Sequence, residues 1–198
     1  RGRFGSTDFY ILTMPAKELV ERLVIPKDLD GWEEMSIEER FQREVNYKRV
    51  KEHIAPYLAN DEDRFFGAFI VDVLNADGVE FEPFSKVTEK IPKIYQIATE
   101  DRGFLHFKGN EVLTPLDGQH RLTALKFAIT GKDEKGRDIP GINANLSVAS
   151  DTCTVILMMH DPKKARKIFN KVNRYAKATS KADNLITADD DIVAILTR

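Results

Sequence analysis

A chain of 198 residues that is 42% hydrophobic and 9% aromatic has enough apolar material for the core of one domain of moderate size, which excludes a disordered tail. Its 30 basic and 32 acidic residues leave a formal net charge of -2, so it is no polycation holding nucleic acid by bulk charge, and any such contact must come from a local patch. A single cysteine excludes an internal disulfide, and no apolar run approaches the roughly 20 residues of a membrane span; the sequence reads as a cytoplasmic protein without a membrane partner.

In chain order the pattern alternates strands and helices. Residues 3–14, RFGSTDFYILTM, predict a first strand. PAKELVERLVI follows, with a proline in the first turn and Leu19, Val20, Leu23 and Val24 at helical spacing. LDGWEEM breaks that helix. Ser36 with Glu39 then forms a capping box ahead of a long amphipathic pattern through Ile37, Phe41, Val45, Val50, Ile54 and Leu58. The opposite face carries Arg40, Arg43, Lys48, Arg49 and Lys51, interleaved with Glu38, Glu39, Glu44 and Glu52, which favours a solvated face over a DNA-contacting one.

FFGAFIVDVL (65–74) is rich in aromatic and β-branched residues, and NADG reads as a turn into VEFE, predicting a hairpin. A second apolar pair, GFLHFKG and EVLTPL, flanks Gly109-Asn110. Residues 131–145 read as a surface loop and TCTVILMM (152–159) as a buried strand. A basic helix, PKKARKIFNKVNRYAK, comes next, then a terminal helix behind Asp189, Asp190 and Asp191. The chain opens without a methionine and stops inside a helical pattern, so a fragment cut short at its C-terminus is the expectation.

The chemistry concentrates in TPLDGQHRLTALKFAITG (114–131). Leu122, Leu125 and Ile129 share one helical face and Gly131 suits a C-terminal cap, so a helix is expected to begin at or just after Gly118. Its first backbone N–H groups attract anions. Gly118 permits close backbone approach, Gln119 and His120 add donors, and Arg121 offers a fork for two phosphate oxygens. Asp117 repels phosphate, so its role is a hydroxyl, a metal-bound water or Arg121 itself. The plain alternative is an aspartate N-cap with a polar first turn and no ligand.

LDGQHRLTAL resembles the signature of the DGQHR-domain proteins of the ParB/sulfiredoxin-like superfamily. With RGRFGSTDFYILTM, YLANDEDRFFGAFIVDV and FNKVNRYAKATSKADNL, most of the chain is similar to the DndB family of DNA phosphorothioation-associated regulators. The resemblance implies a mixed α/β fold over residues 1–198, one ParB/sulfiredoxin-like domain with an N-terminal helical elaboration. It implies a phosphate-facing group of Gly118, Gln119, His120 and Arg121. It also implies repression of a modification operon through duplex DNA, alongside other proteins of the same modification or defence system. In FNKVNRYAKATSKADNL, Asn170 and Asn173 share a helix face with Lys177. By resemblance this is the second nucleotide-contacting helix, with Asn173 helping to hold a metal and a nucleoside triphosphate with Mg2+. No glutamate precedes these asparagines as in the CTP-binding ParB proteins, which leaves metal and base open.

Lys163, Lys164, Arg166, Lys167, Lys171, Arg174, Lys177 and Lys181 follow one another without an acidic residue before Asp183, the strongest candidate for phosphate-backbone contacts. Against that stands an exposed basic helix with no ligand. His53, His106 and His160 lack metal-ligand spacing, and Cys153 reads as a core thiol outside the DGQHR turn, which argues against sulfiredoxin chemistry. The expectation is a DNA-binding regulator or accessory factor, not an enzyme. The alternative is an NTP hydrolase or DNA nickase in which Asp117, alone or through a metal, orients water; a related motif occurs in NTP-hydrolysing restriction proteins of the GmrSD type.

Overall fold

The computed structural model describes residues 1–25, 45–87 and 90–161. The fold is mixed α/β, as expected. Residues 3–14 do not form one strand. β1 (Gly2–Phe4) and β2 (Thr7–Pro15) make an antiparallel hairpin that turns at Gly5, where a φ of +61° gives the left-handed backbone the reversal needs. Pro15 ends β2 and caps α1 (Ala16–Arg22), which buries Ala16 and Leu19. In the predicted amphipathic stretch, helix runs through α2 (Tyr47–Arg49), a π-helical turn (Val50–Ile54) and α3 (Ala55–Asn60), burying Val50, Ala55, Leu58 and Ala59. Its capping box at Ser36, with Arg40 and Arg43, lies outside the described residues. Lys48 pairs with Glu52 at 4.0 Å and Lys51 with Glu134 at 3.4 Å.

The two sequence-predicted hairpins have exchanged partners. β3 (Phe69–Leu74) does not pair with the VEFE segment. It lies between β7 (Thr152–Met159), to which it is parallel, and β6 (Val112–Asp117), to which it is antiparallel. β4 (Glu80–Pro83) pairs instead with β5 (Gly103–His106) as a separate two-stranded sheet nested between β3 and β6 in the chain. The reason is burial. FIVDVL is apolar on both faces and needs a neighbour on each edge, whereas EFEP alternates exposed and half-buried positions and suits a small outlying ribbon. The main sheet runs β1-β2-β7-β3-β6.

One helix runs through the centre of the core. α6 (Gln119–Thr130) buries Leu122, Ala124, Leu125, Phe127 and Ala128, and packs against α1, α3, the π-helical turn and α7 (Leu146–Ser150). Beneath it lie Phe69, Val71, Val73, Val155 and Leu157 from the sheet. Gly131 ends the helix at φ +69°, with its N–H on the Phe127 carbonyl at 2.8 Å. The 131–145 segment is a loop, as expected, stapled by Asp133. That carboxylate accepts from the Arg137 side chain at 2.7 and 3.0 Å and from the N–H groups of Lys135 and Arg137, which hold it well below the usual carboxylate range.

Three short helices escaped the sequence pattern: α7, and α4 (Phe84–Val87) and α5 (Lys93–Glu100), the last two joining β4 to β5. No helix among the described residues is long and apolar enough to cross a membrane.

Candidate functional site

The DGQHR turn begins with a defect in a strand pair. Ile70 faces Asp117 but Val71 faces Pro115, so Leu116 is an extra residue on β6 and the register shifts just before the turn. Such a bulge re-aims the next side chain and releases the strand from its ladder. Gly118 follows at φ +109°, ψ 8°, as the N-cap of α6. A Cβ there would stand 2.5 Å from Cδ1 of Phe69, so both the backbone conformation and the neighbouring ring demand glycine. The aspartate N-cap expected as the plain alternative is thereby corrected: Gly118 holds that position, with no side-chain cap.

Asp117 turns to Arg121. Its Oδ2 accepts from Nη2 at 2.6 Å, with the two side chains 39% and 21% exposed. Nη1 of Arg121 donates to the carbonyls of Gly67 and Ala68, the latter at 3.2 Å. The guanidinium lies 5.1 Å from the centre of the Phe69 ring and 5.9 Å from that of Phe66, and the two rings meet edge-on. Arg121 therefore ties the start of α6 to the chain entering β3. In this arrangement both terminal nitrogens of its fork are engaged, Nη2 by a carboxylate and Nη1 by two backbone oxygens.

Gln119 is only 8% exposed; its carbonyl accepts from the Thr123 hydroxyl at 2.9 Å, while its side-chain amide has no hydrogen-bond partner among the described residues. His120 is held from the other side, its Nε2 accepting from the Asn46 N–H at 3.0 Å, which requires the ring hydrogen on Nδ1. The helix's first intrahelical bond runs from the Leu122 N–H to the Gly118 carbonyl at 2.8 Å, so the N–H groups of Gln119, His120 and Arg121 have no acceptor within α6. All five residues expected at the turn are thus contiguous at one helix end. Asn170, Asn173 and the eight cations from Lys163 to Lys181 lie outside the described residues.

The sequence reading missed a second polar group. Asp72, at the centre of β3 and 4% exposed, is hydrogen-bonded to Nδ1 of His160, and its cross-strand neighbour Thr114 keeps a buried hydroxyl with no partner. The signal was available: an aspartate inside an apolar strand is rare without a dedicated partner. His106 lies 3.3 Å from Glu82, and no cluster of three or more metal-ligating side chains occurs among the described residues. Cys153 is buried in the core, where desolvation, and secondarily the Asp151 carboxylate, push its thiol up to about 11.

A family described as DndB, DNA-sulfur modification-associated, matches residues 1–198. The chain belongs to the DndB family. No curated protein and no solved structure matches it. Membership places this DndB-family chain with the systems that put sulfur into DNA, and the DGQHR turn is the part of the described fold where backbone donors, a side-chain amide and a guanidinium converge.

Proposed function

We propose that this DndB-family protein is a DNA-binding regulator or accessory factor of a prokaryotic DNA phosphorothioate modification system, carrying a phosphate-recognition pocket at residues 117–121 of a ParB/sulfiredoxin-like domain. The observation that carries the pocket is the left-handed Gly118 opening α6 beside the side-chain amide of Gln119, a residue 8% exposed. A glycine wedged against Phe69 lets an anion approach the backbone at the start of α6, and the Gln119 amide supplies a further donor. The ligand of this pocket is a nucleoside triphosphate with Mg2+, its metal and phosphates shared with Asn170 and Asn173. Duplex DNA is held by the cationic run from Lys163 to Lys181, the segment that also carries the two asparagines.

The test for DNA is a filter-binding titration of the full-length protein against duplex DNA over a range of salt. Log affinity should fall with log salt at about -0.9 per phosphate contacted, and charge reversal at Lys164 and Lys167 should flatten the slope by about one to two contacts. Flattening by reversal of Arg43 and Lys51 instead, with Lys164 and Lys167 silent, would move the DNA to the other basic helix. A metal-dependent NTPase or nicking rate that vanishes in Asp117→Asn would promote the hydrolase reading.

A further inference from the structure

α5 is a helix without a buried residue: Ile94, Tyr95 and Ile97 are 82%, 59% and 81% exposed. Eight residues form about two turns, roughly 12 Å, far below the length at which a helix is stable alone in water, so its helicity has to be supported by packing. Pro92 starts it with a fixed φ, and α4 packs against one side of it. Neither covers the isoleucines. The apolar surface extends from there over Val87 of α4 and Phe104 of β5, 48% and 51% exposed; the Phe104 ring meets Phe84 of α4 at 5.2 Å. Several large apolar side chains left exposed on elements packed side by side mark a protein contact.

The charges on α5 say which partner fits. Lys93 stands at its start and Glu100 at its end, seven residues apart and therefore on one stripe, flanking Ile94 and Ile97. Neither is in an ion pair among the described residues. If a second α5 is laid antiparallel across the first, Ile94 of each meets Ile97 of the other, and Lys93 of each meets Glu100 of the other, twice by symmetry. The surface is complementary to itself, which is the requirement of a two-fold interface.

We infer that α5 is the centre of an isologous dimer interface, in which two copies of this chain pair antiparallel through Ile94 and Ile97, with reciprocal Lys93–Glu100 ion pairs. The appendage formed by β4, α4, α5 and β5 is then a dimerisation arm. It stands apart from the DGQHR turn and does not depend on what that turn binds.

The test is sedimentation equilibrium on the full-length protein and on Ile97→Glu, Lys93→Glu, Glu100→Lys and the double variant Lys93→Glu/Glu100→Lys. The wild type should be a dimer and Ile97→Glu a monomer. Each single charge reversal should weaken dimerisation by about tenfold, because it replaces two attractions by two repulsions, and the double variant should return to within a few-fold of wild type. All three substituted positions are exposed, and the double variant's recovery would show that the singles had not simply unfolded. A monomeric wild type, a dimeric Ile97→Glu, or a double variant no better than the singles would each overturn the assignment.

Discussion

The carboxylate of Asp117 meets the guanidinium of Arg121 at 2.6 Å across the first turn of α6, while the same guanidinium binds the carbonyls of Gly67 and Ala68. Arg121 is thus a structural tie between β3 and α6 as well as a candidate phosphate ligand. Arg121→Ala leaves two carbonyls and a part-buried carboxylate without their donor, and should cost about 2–4 kcal/mol in denaturant unfolding. Arg121→Lys should recover less than half of that, since one ammonium cannot span the three acceptors. An alanine variant as stable as wild type would contradict the tie.

Gly118→Ala combines an unfavourable φ with a clash against Phe69, and should destabilise by about 2–4 kcal/mol. Gly136 provides the control. It has φ +74° but nothing within 4 Å of a Cβ, so Gly136→Ala should cost only the backbone strain, about 1 kcal/mol. Equal losses in thermal unfolding would mean that the Phe69 contact contributes nothing.

Asp133 couples folding to pH. Its carboxyl is held below the ordinary range, so the unfolded chain takes up its proton first as pH falls. The stability contributed is complete above the unfolded value near 3.8 and declines as pH drops below it toward the folded value. Asp133→Asn should be less stable than wild type at neutral pH, and the gap should narrow in acid. A gap that is constant with pH would show that the carboxylate's charge is not what the loop uses.

Cys153 should resist thiol reagents in the folded protein at pH 8 and react at once in denaturant, because burial lifts its pKa to about 11 and shields the sulfur. Rapid labelling of native protein would place the thiol at the surface.

The helix start at Gly118, its stop at Gly131 and the buried strand at 152–159 were legible because each is written in local chemistry: a glycine free to take positive φ, a helical stripe, a run of β-branched residues. Strand pairing was not. NADG and Gly109-Asn110 are good turn sequences, but β3 found its partners far along the chain, beyond both turns, and that choice depends on which strands must be buried on both faces. The same distance hid the tie made by Arg121. Its partners Gly67 and Ala68 are over 50 residues upstream, so the fork read from sequence as free for phosphate. Asp117, four residues from Arg121 on the same helical face, was within reach of sequence reasoning and was one of the roles considered for it.

The most direct test of the phosphate pocket is calorimetric titration of the full-length protein with ATP, GTP and CTP in the presence of Mg2+, on wild type, Asp117→Asn and Arg121→Lys. If the turn receives phosphate, the nucleotide must compete with Asp117 for Arg121. At least one triphosphate should therefore bind wild type, bind Asp117→Asn about tenfold more tightly, and lose about tenfold on Arg121→Lys. No binding of any triphosphate to wild type, or affinities indifferent to both substitutions, would contradict the account.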